Sequence, residues 1–103
     1  MATKSEESLS SLCSLFRLLS DKTRLQIVMH LANGDRSVND LCDDLKLAQP
    51  TVSHHLGLLR MNRVIVNKRD GKQVIYSLGS WAKGSKKTLK FEILPFEVTL
   101  THD

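Results

Sequence analysis

The stretch Leu47-Ala48-Gln49-Pro50-Thr51-Val52-Ser53-His54-His55-Leu56-Gly57-Leu58-Leu59-Arg60 decides the fold. Val52, Leu56 and Leu59 recur at i, i+4 and i+7, one apolar stripe along a helix. At about 100° per residue, His54 falls opposite that stripe, and Thr51, Ser53, Gly57 and Met61 share the outward half. Pro50 suits a first turn, where a missing N–H has no partner to lose. The spacing predicts a helix over about 49–62 that buries one side and shows small polar groups and a histidine on the other. Small donors and acceptors are what base edges and phosphates in a major groove accept. The stretch reads as a DNA recognition helix.

Working outward, Ser37 caps a preceding helix, and Asp40 completes a variant of the capping box. Val38, Leu41, Cys42 and Leu45 fall on one stripe of it. Lys46-Leu47-Ala48 is a short turn, so the two helices make a helix-turn-helix. On the other side, Asn62 suits the left-handed conformation that ends a helix. Val64-Ile65-Val66-Asn67-Lys68-Arg69 reads as a strand, Asp70-Gly71 as a two-residue hairpin turn, and Gln73-Val74-Ile75-Tyr76-Ser77-Leu78 as the returning strand. This hairpin, over about 64–78, is a wing with Lys68, Arg69 and Lys72 around its tip. Basic tips of this kind reach phosphates or a minor groove.

The flanks complete the chain. Residues 5–19 read as a helix with Leu9, Leu12, Cys13, Phe16 and Leu19 on one stripe, widened by Leu15 and Leu18. Such a helix either docks a second chain or is wrapped by a small core. Ser20 is the expected N-cap of the next helix, with Asp21 favourable at its positive end. Leu25, Val28, Met29 and Ala32 form its stripe, and Asn33-Gly34-Asp35 ends it. Residues 79–87 read as a polar, basic break. Beyond them Leu89, Phe91 and Ile93, then Phe96, Val98 and Leu100, alternate with polar residues. That is period two, so the tail is expected to hold two strands with a turn near Leu94-Pro95. They must pair with each other, with the wing, or with a second chain.

At 103 residues the chain has room for one small domain, whose modest core a dimer would support. Residues 1–50 carry six Lys/Arg against seven Asp/Glu, and residues 51–103 carry nine against four. Asp70 is the only acid within 51–90. The basic half is either a solvated surface or, as we read it, the footprint of a polyanion. No apolar run approaches a membrane span, and the first residues lack the pattern of a signal peptide, so the expected location is the cytoplasm. Cys13 and Cys42 are not spaced as a CxxC, and both fall on apolar stripes, where the simplest role is a small core side chain. Cys42 with Asp40, Asp43 and Asp44 is a conceivable metal set, but acids on the wet face of a helix are ordinary. His54 and His55 are neighbours about 100° apart and do not converge on one ion. No metal, no cofactor and no catalytic constellation is expected, which argues against an enzyme.

Taken together, Leu18-Leu19-Ser20-Asp21-Lys22-Thr23-Arg24-Leu25-Gln26-Ile27, Ser37-Val38-Asn39-Asp40-Leu41, Gln49-Pro50-Thr51-Val52-Ser53-His54-His55-Leu56, Leu59-Arg60 and the wing Arg69–Leu78 resemble the ArsR/SmtB family, in family order and spacing over roughly residues 10–79. The resemblance implies a homodimeric winged-helix transcriptional regulator, usually a repressor, that binds imperfect inverted repeats and commonly releases DNA on sensing a metal or another signal. It maps DNA contacts onto Gln49, Thr51, Ser53 and His54, with wing contacts near Arg69. Three departures stand out. Ser37 and Asn39 occupy the positions of the cysteine pair of arsenic and cadmium sensors. The tail lacks the long C-terminal helix that carries zinc and nickel ligands and supports dimerisation. Ala48 replaces the usual serine before Gln49, which loses a cap worth about 1 kcal/mol.

The expected fold is therefore α+β and mainly α. A winged helix-turn-helix DNA-binding unit over 1–79 has a two-stranded wing and is followed by a β-like C-terminal tail over 80–103. The candidate DNA-binding residues are Gln49, Thr51, Ser53, His54, His55, Arg60, Lys68, Arg69 and Lys72. Of these, His55 sits at the edge of the buried stripe and could equally be structural. The partners expected are double-stranded DNA and a second copy bound through the first helix, with the tail strands a further dimer surface. A winged-helix protein-interaction module, working through the first helix and tail, is the main alternative. A repressor responding to oxidation of Cys13 and Cys42 is another.

Overall fold

Capping side chains set where the helices begin. The computed structural model describes residues 3–103; Met1 and Ala2, the start of the stretch read as lacking a signal peptide, lie outside them. The order is α1 (Lys4–Leu19), α2 (Lys22–Ala32), β1 (Arg36–Ser37), α3 (Val38–Leu45), α4 (Gln49–Met61), β2 (Ile65–Asp70), β3 (Gln73–Leu78), β4 (Ala82–Gly84), β5 (Thr88–Ile93) and β6 (Phe96–Thr101). Thr3 accepts from the Glu6 N–H at 3.1 Å and starts α1. The N-cap of α2 is Asp21, which accepts from the Arg24 N–H at 3.0 Å. Ser20, expected in that role, instead closes α1, its hydroxyl donating to the Arg17 carbonyl at 2.7 Å. Ser37 and Asp40 form the complete capping box of α3. Ala48 occupies the N-cap of α4 and makes no side-chain cap.

One core joins every layer. Val52, Leu56 and Leu59 of α4 are buried together with Leu41 of α3, Ile27, Val28 and Leu31 of α2, and Leu12 and Leu15 of α1. The buried stripe of α2 thus turns on Ile27 and Leu31, while Met29, assigned to it from sequence, is exposed. Cys13 is also exposed rather than core-facing. Leu9 and Phe16 are each 50 % exposed, so α1 buries only the Leu12–Leu15 side of its broad apolar surface.

The two sheets are antiparallel. β2 and β3 make the wing hairpin, with Asp70 opposite Gln73. Gly71 takes a φ of 64° at its tip, a conformation a side chain would disfavour. β1 pairs with β3 at the base of the wing, Arg36 opposite Tyr76, an addition too short to read from sequence. The left-handed residue after α4 is Arg63, not Asn62. In the tail, β5 and β6 pair with each other, Ile93 opposite Phe96, and β4 adds a third strand that the sequence reading had taken for part of a break. β4 lies against α2, where a side chain at Gly84 would collide with Ala32. Phe91 of β5 and Leu89 are buried in the same core, with the Trp81 ring centroid 6.0 Å from that of Phe91.

The Asp40 carboxyl is held below its ordinary value of 3.8, first by the backbone N–H of Ser37 and then by the Ser37 hydroxyl. A depressed folded-state pKa means the contribution is complete above the unfolded value and is lost as pH falls through the folded one. Thermal denaturation followed from pH 7 to pH 2 should show wild-type melting temperature falling below about pH 4. Asp40→Asn should begin less stable at neutral pH and show a shallower acid decline. Superimposable profiles would mean that the box contributes nothing.

Candidate nucleic-acid interface

Burial of Val52, Leu56 and Leu59 turns the rest of α4 outward. Gln49, Thr51, Ser53, His54 and Arg60 are all exposed. Gly57 has open space where a Cβ would stand, so nothing in this chain requires glycine there. The span Gln49–Arg69 contains no Asp or Glu. At the wing, Lys68, Arg69 and Lys72 are exposed. Among the described residues none of Arg60, Lys68, Arg69 or Lys72 is ion-paired.

Strand geometry separates the two wing cations. Residues directly opposite share a face, and successive residues alternate. Arg69 faces with Val74, in the row that continues through Asn67 and Tyr76 to the buried Ile65 and its partner Leu78. Lys68 faces with Ile75, on the other side. The two cations therefore straddle the hairpin and cannot serve the same phosphate. Arg63, exposed and basic between α4 and the wing, belongs to the same surface and was not singled out from sequence. Its membership in a run free of acids was the available signal.

His55 is different. Its side chain is 13 % exposed and turns toward the α1–α2 corner. Arg24 Nη1 lies 3.3 Å from His55 Nδ1, and Asp21 Oδ1 lies 4.0 Å from the same nitrogen. Arginine can only donate, so Nδ1 accepts and the ring proton sits on Nε2. Arg24 Nε also donates to the Leu18 carbonyl at 2.7 Å. Asp21 is held below the usual carboxylate range, first by the Arg24 backbone N–H and further by the Arg24 guanidinium charge. The structure thus places His55, expected at the edge of the buried stripe with either a DNA-binding or a structural role, in a bracing network. No sequence periodicity could have paired residues 24 and 55.

Two of the three acids of α3 are held by neighbours. Asp40 caps the helix, and Asp44 lies 3.6 Å from Arg36 and 3.8 Å from His30. Among the described residues no group of His, Cys, Asp and Glu side chains is arranged to hold a metal ion. No described helix is long and apolar enough to cross a membrane. A concavity of about 340 Å³ between α2 and the C-terminal sheet is lined by Met29, His30, Lys86, Leu89 and His102 among others, and by none of the candidate DNA residues.

A family model described as a bacterial regulatory protein of the arsR family matches residues 21–65, the span from the α2 cap to the start of the wing. The transcriptional repressor SdpR of Bacillus subtilis (strain 168) is 34 % identical over 67 residues, which cover 65 % of this chain and 74 % of SdpR. The chain belongs to the ArsR family. Its fold agrees: reduced HlyU from Vibrio cholerae N16961 superposes with a TM-score of 0.70 at 28 % identity, covering 77 % of this ArsR-family chain and 83 % of HlyU. The regulator KmtR of Mycobacterium tuberculosis (strain H37Rv) is 42 % identical over 64 residues, 62 % of this chain. That match spans only about half of KmtR, 49 %.

The geometry separates the two histidines by experiment. His55→Ala should lower unfolding free energy by roughly 1–3 kcal/mol, because it leaves a half-buried guanidinium short of a partner. His54→Ala should stay within about 0.5 kcal/mol of wild type. Urea denaturation of both variants checks this, and equal stabilities would contradict the bracing role.

Proposed function

We propose that this chain is a dimeric, sequence-specific DNA-binding repressor that reads an inverted repeat with α4 and grips the backbone with the wing. One observation carries the reading: the buried stripe of α4 leaves Gln49, Thr51, Ser53 and His54 outward on a helix without acids. Gln49 and Ser53 supply the donors and acceptors suited to base edges, and Thr51 and His54 suit bases or phosphates. Open space at Gly57 allows close approach of a DNA backbone. Arg60, Lys68, Arg69 and Lys72 supply unpaired positive charge, which steers and holds DNA. The repressor assignment follows relatives such as SdpR, whose name is that of a transcriptional repressor. Dimerisation is supported by Leu9 and Phe16, half-exposed on α1. In this reading residues 1–79 form the DNA-binding unit and 80–103 serve assembly; the protein acts in the cytoplasm without enzymatic activity.

The competing protein-interaction reading would use the same α1 and tail surfaces but has no use for a basic, acid-free recognition helix. Oxidative pairing of Cys13 and Cys42 would start from one exposed thiol on α1 and one half-buried thiol on α3.

Selection from random duplexes should enrich an inverted repeat. Gln49→Ala and Ser53→Ala should each cost about 1–3 kcal/mol of discrimination at one or two base positions in each half-site. Lys68→Ala and Arg69→Ala should weaken binding to all sequences alike and lower the salt slope by about one each. Absence of any enriched sequence at moderate salt, with the α4 variants indistinguishable from wild type, would overturn the reading.

A further inference from the structure

The C-terminal sheet runs in the order β4-β5-β6, so β6 is an edge. The direction of its free groups can be worked out. The His102 N–H donates to the Lys87 carbonyl at 2.9 Å, continuing the β5–β6 register beyond Thr88 and Thr101. Hydrogen-bonded pairs alternate along an antiparallel ladder. Phe96, Val98 and Leu100 therefore bond inward to β5, and Glu97, Thr99 and Thr101 present their N–H and C=O groups to the open edge. Monomeric proteins blunt such edges with lysine, proline, bulges or shortness. Phe96-Glu97-Val98-Thr99-Leu100-Thr101 has none of these. Its one charge, Glu97, is already held by Lys90 Nζ at 3.3 Å.

The edge is complementary to itself in one register. Two copies running antiparallel about a two-fold axis must match outward residue with outward residue. An axis through Glu97 opposes two glutamates. An axis through Val98 sets Thr101 against Pro95, which has no N–H. An axis through Leu100 sets Glu97 against Asp103. Only an axis through Thr99 gives every outward residue of β6 a partner within the strand, Glu97 with Thr101 and Thr99 with itself, with no like charges opposed; Pro95 then meets Asp103 beyond the strand ends. It also sets Val98 against Leu100 of the partner subunit. That matters because Leu100 is 43 % exposed and borders an apolar hollow of about 160 Å³ walled by Phe16, Leu19, Phe91 and Val98. The hollow connects β6 to the exposed side of α1.

We propose that β6 pairs with β6 of a second copy of this chain, antiparallel about a two-fold axis through Thr99, so that the two C-terminal sheets become one continuous sheet. This rests on the dimeric reading above and gives it an interface: strand pairing on one flank, Phe16 and the α1 face on the other.

The test is sedimentation equilibrium on the full chain as wild type, Thr99→Pro and Thr99→Val. Proline on an edge strand removes only the outward N–H and spares the bonds to β5. Wild type and Thr99→Val should dimerise, and Thr99→Pro should raise the dimer Kd at least about tenfold while its far-UV circular dichroism is unchanged. Amide exchange by NMR on the wild-type dimer is a second measurement that no variant can compromise: the Glu97, Thr99 and Thr101 amides should be protected. A folded Thr99→Pro with wild-type Kd, a wild-type chain that stays monomeric, or a dimer in which those amides exchange freely would each overturn the pairing. Duplex binding by wild type, measured alongside, is decided separately: its absence would overturn the DNA reading and leave the strand pairing to the oligomer data.

Discussion

Packing of Val52, Leu56 and Leu59 against α2 and α3 is the constraint on which the rest depends. Each such side chain gains about 1.5–3 kcal/mol on burial. Because a helix is rigid at about 100° per residue, burying that stripe fixes the azimuth of every other residue on α4. Gln49, Thr51, Ser53 and His54 face outward as a geometric consequence, without interactions of their own. The surface that would meet DNA is therefore positioned from behind, by the core. That arrangement leaves its polar groups unspent and able to bond a ligand.

The same division of labour explains the charge distribution. Two of the three acids of α3 have structural work: Asp40 in the cap, Asp44 beside Arg36 and His30. Arg60 and the wing cations Lys68, Arg69 and Lys72 have no such partners among the described residues. An unpaired surface cation contributes little to the stability of the fold and stays available to an external anion. The small core also limits what α1 can bury. Leu12 and Leu15 find places in it, while Leu9 and Phe16 remain at the surface.

Local signals were legible from sequence and tertiary ones were not. The α4 stripe, the Asp70-Gly71 turn, the Ser37–Asp40 box and the alternation of β5 and β6 are all encoded within a few neighbouring residues. The misreadings came where two local answers compete. Ser20 and Asp21 are both good caps, and the choice between them depends on which one the Arg24 N–H reaches. Cys13 lies on an apolar stripe too broad for one small core to cover, and periodicity could not say which edge stays wet. Ala82 and Gly84 looked like a break because small residues are ambiguous. They belong to β4, which pairs with β5 and runs against α2, where Ala32 leaves no room for a side chain at Gly84. His55 was placed at the border of the stripe, and only the fold brings Arg24 to it.

That last contact has a mechanical meaning. Arg24 holds the carbonyl of Leu18 with one nitrogen and the ring of His55 with another. It is a strut between the last turn of α1 and the middle of α4. In the proposed dimer a rotation of α1 would be passed through Arg24 to α4, so the spacing and tilt of the two copies of α4 would be set at the joint between subunits as well as in the turn before Gln49. In that reading, a genetic screen for lost repression would recover Arg24 beside Gln49 and Ser53, although Arg24 stands half-buried on α2 and supports α4 from behind.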